Sequence, residues 1–282
     1  EADVAVVTNI GRDHTDGRGE WRRAVAEEKA GIITPGQPLV LGEAESDVRD
    51  LFVVEGADPV FVRGMDFGVE RKELAVGGQI VDLWGPQGSH EGVYLSLHGR
   101  HQAENVSVAV TAVETFLGAS LDDEVIGEAL AAFSSPGRLE VLARDPLVVA
   151  DGAHNQDAVR QLVRTIPEAF PFDRSVVVLG VLGPHDPIEL IDELLPLAPD
   201  LVVACTAPSE RAVPAEILQS MVLGRGLDAE AVSDPVEAVS RAVTVSREED
   251  LVLVTGTFYI VSRAREALSA LSGSREMDPE VN

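Results

Sequence analysis

The segment from Thr8 to Ile32, TNIGRDHTDGRGEWRRAVAEEKAGI, contains the residues whose types are best suited to chemistry. Four polar residues come directly after a predicted strand: Asn9, Asp13, His14 and Asp16. Acidic and imidazole side chains just past a strand end are candidates for metal or ligand binding. The alternative is structural, because Thr15 and Asp16 could cap the helix that follows and His14 could lie on the surface.

Lys29 follows His14 by fifteen positions and is one of only two lysines among 22 basic residues. A lysine amine that captures carbon dioxide becomes an anion, and its oxygens are ligands of the type that Mg²⁺ prefers. Arginine has no amine that can be deprotonated for this reaction. The pattern favours a magnesium site that includes Lys29, although two lysines must lie somewhere by chance. We interpret the other, Lys72, as a solvated residue of a turn.

The composition limits the classes of partner. The formal net charge is −26, which argues against nucleic acid or an anionic membrane surface as a partner. Excess acid, very little lysine and small apolar side chains together predict adaptation to high salt, where self-repulsion is screened; an acidic protein of an ordinary cytosol is the alternative. The single cysteine, Cys205, excludes an internal disulfide and fits a reducing cytoplasm. The sequence shows no apolar run of membrane-spanning length and no signal peptide.

The first half of the chain predicts a mixed unit, residues 1–133. A buried strand, Val4–Thr8, leads to a helix, Glu20–Ala30, with Gly31 as its C-cap, and then to a strand, Leu39–Leu41. Residues 51–97 alternate in short segments with glycine turns, which predicts a small antiparallel sheet. Two helices follow, one in QAENVSVAVTAVETFLG and one over Asp122–Phe133.

The second half predicts an α/β unit. Ser, Pro and Gly in SSPGR make residues 134–139 a linker, followed by a unit at 140–272 and a tail at 273–282. Near-continuous Val/Leu strands alternate with helices, which is typical of a parallel sheet covered on both faces. The strands are LVVAD, SVVVLGV, DLVVACT and LVLVTGT, and the helices are near 156–166, 187–197, 214–222, 235–245 and 262–272. Such a sheet binds ligands at the carboxyl ends of its strands.

Six motifs in order resemble the folylpolyglutamate synthase and dihydrofolate synthase branch of the Mur ligase superfamily. They are TNIGRDH with EKAGI, GRHQAEN (Gly99–Asn105), PGRLE (Pro136–Glu140), DGAHN (Asp151–Asn155), PSERAVPAE (Pro208–Glu216) and VLVTGTFY (Val252–Tyr259). The resemblance covers almost all of residues 1–272. It implies the later part of a P-loop-type central domain with a small antiparallel sheet, followed by a Rossmann-like C-terminal domain with a mainly parallel sheet.

The resemblance also implies an ATP-dependent ligase that phosphorylates a carboxylate of folate or dihydropteroate, so that L-glutamate can attack the acyl phosphate. Mg²⁺ neutralises charge in such chemistry. By this resemblance His14 and carbamylated Lys29 would bind the metal. The nucleotide would be bound by four residues: Asn105 would contact the adenine, Arg138 the phosphates, Asp151 the ribose and adenine side, and His154 would lie against the nucleotide. His14, Lys29 and His154 would be the catalytic residues, and a fused or neighbouring folate-pathway enzyme is a possible partner.

Several of these residues have structural alternatives. Asn105 could cap a helix, Arg138 could form a surface ion pair, and Asp151 with Asn155 could form an Asx turn. The sequence also departs from the family in GVLGPHD, where His185 stands in place of a usual lysine, so a substrate-binding cation would titrate near neutral pH. Thr257 replaces a more usual serine and keeps the hydroxyl of that substrate-binding position.

The phosphate loop G-x-x-x-x-G-K-[ST] does not occur in the sequence, since neither lysine follows a glycine. In the family this loop precedes the segment seen here, and the chain opens on Glu1 directly before a strand. We therefore expect a fragment that cannot hydrolyse ATP by itself. Two other interpretations stay open: another Mur-type ligase that joins a different amino acid and carboxylate, or a non-catalytic nucleotide-binding module.

Overall fold

The computed structural model describes residues 2–11 and 19–276, and the chain divides into two compact units between Ser134 and Ser135. This division lies at the start of the SSPGR segment. Each unit has its own sheets and its own hydrophobic core.

The first unit begins with a three-stranded parallel sheet. Its strands, in the order β1-β2-β3, are β1 (Ala5–Val7), β2 (Leu39–Leu41) and β3 (Val60–Val62). Helices α1 (Trp21–Ala30) and α2 (Ser46–Val53) connect them. Ala26 of α1 and Val48 and Phe52 of α2 are buried against strands β1 and β2. This packing fixes the first turns after each strand end.

An antiparallel meander and two helices complete the first unit. The strands are β4 (Gly68–Ala75), β5 (Gly78–Gly85) and β6 (Gly88–Leu95), and the helices are α3 (Arg100–Leu117) and α4 (Asp123–Ala132). Helix α3 buries Ala103, Val106 and Val110 in the same cluster as Val81 and Val93 of the meander. Ala103, Val106 and Val110 recur at helical spacing, and Val81 is directly opposite Val93 in the β5–β6 ladder, so the helix packs on one face of the meander.

The second unit contains a six-stranded sheet in the order β11-β10-β9-β12-β8-β7. The strands are β7 (Glu140–Arg144), β8 (Leu147–Ala150), β9 (Ser175–Leu179), β10 (Leu201–Ala204), β11 (Ala229–Ala231) and β12 (Leu251–Thr255). All neighbours pair in parallel except β7 with β8. The predicted α/β class with a mainly parallel sheet is therefore confirmed.

Helices cover both faces of this sheet. One apolar cluster joins α5 (Gln156–Ala169), α6 (Pro187–Leu194) and α7 (Ala215–Leu223) to strand residues such as Val177 and Leu253. The other cluster joins α8 (Pro235–Val245) and α9 (Phe258–Glu276) to the alternate strand residues, such as Val178 and Val254. Because successive strand residues point to opposite faces, a continuous Val/Leu run supplies both layers of core.

Some predicted elements differ from the structure. VVEGADPVFVRG does not belong to the antiparallel sheet: its first valine ends α2, and Val60–Val62 pairs in parallel with β2. Helix α2 was missed, although Val48 and Phe52 have the four-residue spacing of a buried helix face. Helix α9 starts at Phe258, not near 262, and continues to Glu276, so residues 273–276 are helical and not part of a tail. Strands β7 and β11 were also missed.

Candidate functional site

Three loops begin side by side at one edge of the six-stranded sheet. Strand β12 lies between β8 and β9, with Val254 level with Ala150 and Thr255 level with Leu179. The residues that follow these strands, Asp151, Gly180 and Gly256, therefore start at the same edge. This is the carboxyl edge, where parallel sheets bind ligands.

The Asp151 carboxylate is buried under this edge and holds two turns together. It is 7% exposed, and its two oxygens accept one N–H each, from Leu139 and from Ala153, both at 2.8 Å. Burial raises the pKa of Asp151, while the two backbone donors, Arg138 and His154 act in the opposite direction. Asp151 thus fixes PGRLE against DGAHN through one hydrogen bond on each oxygen.

Arg138 is carried on the turn that Asp151 holds. The turn is braced further because Gly152 N–H donates to the Gly137 carbonyl at 2.7 Å, and Leu139 accepts a positive φ of 47°. The Arg138 guanidinium carbon lies 4.9 Å from the centre of the Phe258 ring. Among the described residues no carboxylate forms an ion pair with Arg138, so the surface ion pair considered from the sequence does not form there.

Phe258 is a functional candidate that the sequence reasoning passed over, because only Thr257 was selected from TGTFY. Its ring is 42% exposed, and a Cβ on Gly152 would lie 2.4 Å from it. A side chain at position 152 would therefore displace the ring. The His154 ring lies 6.5 Å from the Phe258 ring and 5.3 Å from the His185 ring. Arg138 and His154 thus both lie at the Phe258 ring, and His185 adjoins His154.

His154 has its Nδ1 2.9 Å from the Gly152 carbonyl oxygen. With Nδ1–H donating there, Nε2 is the nitrogen that can meet a ligand. His154 and His185 are both half-buried. The loops that follow β8 and β9 therefore bring His154 and His185, two predicted site residues, together.

Two other predicted residues cap helices. The Asn155 side chain accepts from Ala158 N at 2.9 Å at the start of α5, which confirms its structural alternative. Thr257 is 4% exposed and its hydroxyl lies 3.4 Å from Tyr259 N at the start of α9. Substrate binding by Thr257 remains a prediction.

The PSERAVPAE segment lies beside the His185 loop. Gly183 N–H donates to the Arg211 carbonyl at 2.8 Å, Val213 N–H donates to Val181, and Leu182 forms an isolated β-bridge with Ala212. Arg211 is exposed in this segment. Arg211 thus belongs to a second loop with a basic side chain, next to the loop of His185. The spacing of the two loops in the sequence does not predict that they are neighbours.

The predicted residues of the first unit are only partly described. Asn105 is exposed within α3, with its amide donating to Gln102 at 3.3 Å, so it does not cap that helix. Lys29 is exposed in the last turn of α1, and no described carboxylate forms an ion pair with it. His14 lies outside the described residues, as do Asp13, Thr15 and Asp16.

Glu43, just past the end of β2, links three elements of the first unit. Its Oε2 accepts from Ile10 N at 3.1 Å and from the Arg22 guanidinium at 3.1 Å, and its Oε1 accepts from Glu45 N at 2.9 Å. Arg22 belongs to α1, the helix that carries Lys29, and Ile10 leads into the segment that contains His14. The sequence reasoning did not single out Glu43, because no motif letter marks it.

Within residues 2–11 and 19–276, no three His, Cys, Asp or Glu side chains group as a metal site. In the same part of the chain, no helix has the length and apolar character needed to cross a bilayer.

Comparisons with known proteins agree with the motifs. The family described as Mur ligase, glutamate ligase domain, matches residues 137–258. A dihydrofolate synthase/folylpolyglutamate synthase of Mycobacterium tuberculosis is 39% identical over 230 residues, 77% of this chain and 47% of that protein. A probable bifunctional folylpolyglutamate synthase/dihydropteroate synthase of Halobacterium salinarum is 32% identical over 282 residues, 98% of this chain and 34% of that protein.

Solved structures show the same fold. A folylpolyglutamate synthase of M. tuberculosis complexed with ADP and AMPPCP superposes with a TM-score of 0.87 at 33% identity, covering 96% of this chain and 64% of that one. E. coli FolC in complex with DHPP and ADP gives 0.84 at 27% identity, covering 96% and 62%. The chain thus spans between about a third and just under two thirds of the length of these relatives. It belongs to the folylpolyglutamate synthase and dihydrofolate synthase family of the Mur ligases.

Proposed function

We propose that the protein to which this chain belongs is an ATP- and Mg²⁺-dependent ligase that adds L-glutamate to a folate or dihydropteroate carboxylate through an acyl phosphate. One observation supports this most directly: Arg138, without a carboxylate partner among the described residues, lies over Phe258 at the carboxyl edge of the sheet. The His154 ring lies 6.5 Å from the Phe258 ring, and the His185 ring lies 5.3 Å from that of His154. A cation left unpaired at such an edge is suited to phosphate. Related proteins were solved with ADP.

For nucleotide binding, we propose that Arg138 contacts the phosphates and that His154 lies against the nucleotide through Nε2. Asp151 holds both residues in place from below, because its oxygens fix the N–H groups of Leu139 and Ala153. Asn105 would contact the adenine, since its exposed amide offers both a donor and an acceptor.

For the metal, we propose that carbamylated Lys29 and His14 provide ligands. The exposure of Lys29 and the lack of a described ion-pair partner fit this role, because carbon dioxide must reach an uncharged amine. Mg²⁺ bound there would neutralise charge on the reacting phosphoryl and carboxylate oxygens. Glu43 links Arg22 of α1, the helix that carries Lys29, to the backbone of Ile10 just past the end of β1.

For glutamate, we propose the loop with His185, assisted by Arg211 from the adjoining loop and by the Thr257 hydroxyl. The exposed Arg211 guanidinium would donate to a carboxylate of the glutamate.

A binding experiment tests the nucleotide role. ADP is titrated into the 282-residue chain and into Arg138→Gln by calorimetry, with Arg144→Gln as control because Arg144 is an exposed arginine of the same unit. Loss of one charge-assisted phosphate contact should weaken binding by roughly tenfold or more in Arg138→Gln only. Equal affinities in all three proteins would contradict the assignment.

A second experiment tests the metal role in the full-length enzyme. Lys29→Arg keeps the charge but cannot be carbamylated, so ligase activity should be largely lost, and bicarbonate should not restore it. His14→Ala should weaken the Mg²⁺ dependence more than the affinity for folate. Near-normal turnover by Lys29→Arg would refute carbamylation. We also propose that the 282 residues alone do not hydrolyse ATP, and folate-dependent hydrolysis by them would overturn this.

Two further proposals concern context. The halophilic relatives are named for a folylpolyglutamate synthase joined to a dihydropteroate synthase, so a fused or neighbouring folate-pathway enzyme is a proposed partner. We place the protein in a cytoplasm with high salt, in line with its net charge of −26.

A further inference from the structure

A cavity of 410 Å³ lies in the first unit, between strands β4 and β5 and the start of α3. Its volume is in the range of small-molecule sites. None of the described residues predicted for nucleotide, metal or glutamate binding lines it. Its principal lining side chains are Arg63, Arg71, Lys72, Trp84, Arg100 and Glu104.

The charge of this lining differs from that of the chain. The whole sequence has 48 acidic and 22 basic residues. The cavity has four basic residues and only two acidic ones, Glu70 and Glu104. One of the chain's two lysines is among them, so Lys72 is not the isolated turn residue that the sequence suggested. A local positive potential inside a strongly acidic protein concentrates anions at this cavity.

Two of the arginines are not matched one to one by carboxylates. Arg63 and Arg100 both contact the same Oε1 of Glu104, at 3.4 Å and 3.1 Å. Arg71 is different, because Asp82 and Glu73 already hold its guanidinium. One carboxylate shared by two guanidinium groups leaves a surplus positive charge with N–H donors available to a further anion.

Trp84 gives the cavity an aromatic wall. In the β4–β5 ladder it is directly opposite Gly68, and a Cβ on Gly68 would lie 3.2 Å from the indole Nε1. The absence of a side chain on Gly68 lets the half-buried indole lie close over β4. Trp84 lines the cavity, and an aromatic ring there offers a surface on which a flat group could stack.

We propose that this cavity binds a small organic anion that carries an aromatic ring, with its phosphate or carboxylate groups at Arg63, Arg100 and Lys72 and its ring against Trp84. This binding site goes beyond the proposed ligase function. It uses none of the residues assigned to that reaction.

The two tryptophans of the chain make a direct test possible. Trp21 and Trp84 are the only ones, so Trp21→Phe leaves Trp84 as the sole tryptophan. Its fluorescence is followed at constant ionic strength during titration with three probes: AMP, benzene-1,2,4-tricarboxylate and tripolyphosphate. A saturable change with AMP or with the tricarboxylate supports the site and shows whether phosphate or carboxylate is preferred. The ring-free tripolyphosphate should bind more weakly than the better ring-bearing probe.

Charge variants then locate the binding. Arg100→Gln is the main one, because Arg100 is 83% exposed and its loss should not affect folding. In the Trp21→Phe background, Arg100→Gln and Lys72→Gln should each weaken binding by roughly tenfold. Arg144→Gln, which removes an equal charge in the other unit, should not.

Two results would overturn the proposal: no saturable change with any probe up to about 10 mM, or the same affinity in Arg100→Gln and Lys72→Gln as in their parent. Tripolyphosphate binding as tightly as the ring-bearing probes would refute the role of Trp84. Arg138→Gln should leave this titration unchanged, so a failure here is distinct from a failure of the ADP experiment.

Discussion

The two units each bury an acid just past the end of a parallel strand, Glu43 after β2 and Asp151 after β8. Each accepts one backbone N–H from another segment, that of Ile10 or Leu139, and one from the residue two positions along its own loop. Only Glu43 is also held by an arginine, since Arg22 lies 3.1 Å from its Oε2. Asp151 has no such partner among the described residues, and burial raises its pKa.

This difference concerns the arginine near each acid, which forms ion pairs in the first unit and not among the described residues of the second. Near Glu43, Arg22 forms ion pairs with Glu43, Glu45 and Asp47. Around Asp151 two backbone N–H groups bind the acid, and Arg138 forms no ion pair with a described carboxylate. A buried acid of the first kind holds elements together, whereas one of the second kind also leaves a cation for a ligand.

The largest effect is expected from Asp151→Ala. It leaves the buried N–H groups of Leu139 and Ala153 without acceptors, which should cost about 3 kcal/mol of unfolding free energy. Asp173→Ala, an exposed acid of the same unit, is the control. The second unit can be followed by its single thiol, because Cys205 is fully buried and burial raises its pKa to about 12. A thiol reagent should therefore react with Cys205 only after opening. Equal stability of the two variants would show that Asp151 does not hold the turns.

Gly152→Ala should come next. The new Cβ would lie 2.4 Å from the Phe258 ring, and moving that ring should cost about 2 kcal/mol. The double variant with Phe258→Ala removes the clash, so its loss should be smaller than the sum of the single losses. Unfolding free energies are measured from the reactivity of the Cys205 thiol in urea. Additive losses would show that the strain does not come from the contact between position 152 and Phe258.

Glu43→Gln should have a smaller effect, of about 1 kcal/mol. The amide keeps one carbonyl acceptor but loses the charge that faces Arg22. Both tryptophans lie in the first unit, so their fluorescence during urea unfolding reports on it selectively. Glu45→Gln is the matched control, since Glu45 pairs with the same arginine but is 70% exposed and should change little. Equal losses from the two would mean that burial does not matter here.

The smallest effect concerns a third buried acid, Glu114, which faces a histidine. His90 Nε2 lies 2.9 Å from Glu114 and Nδ1 lies 2.6 Å from Asp123, so a protonated ring donates to both. Burial opposes the charge on His90, but the hydrogen bonds to Asp123 and Glu114 outweigh it, and the pKa is raised above 6.5. The pair should stabilise the first unit fully below pH 6.5, and this contribution should be lost as pH rises through the raised pKa.

His90→Gln tests this sign. Its tryptophan-detected urea midpoint should vary less with pH than that of the parent protein between pH 6 and about 9. A parent midpoint that does not fall over this range would show that the protonated ring does not provide this stabilisation.

The sequence predicted the parts of the fold that depend on local pattern. The apolar runs after residue 140 identified β8, β9, β10 and β12, because both faces of a parallel sheet need Val or Leu at every position. The helices between them were found from the alternation of strands and helices, and α8 matches its predicted range, 235–245. The motifs singled out Arg138, His154 and His185 separately, and the structure gives the distances that join them.

The sequence could not predict what depends on contact across space. Three features join residues that are distant along the chain. They are the contact of Phe258 with Arg138, the ion pair of Arg22 with Glu43, and the basic cavity lined by Trp84. Strand β3 was assigned to the wrong sheet for the same reason: the residues of Val60–Val62 fit either pairing, and only the packing of α2 under β2 selects the parallel one.

The position of β12 has a consequence for synthesis on the ribosome. This late segment, Leu251–Thr255, separates two earlier strands, and Leu251 pairs opposite Leu147, about a hundred residues before it. Until residues 251–255 leave the exit tunnel, the β7–β8 hairpin and the β9–β10–β11 group have no shared strand to join them. The nascent second unit must therefore wait in two incomplete halves, and a premature stop before residue 251 should yield a product that chaperones retain or proteases remove.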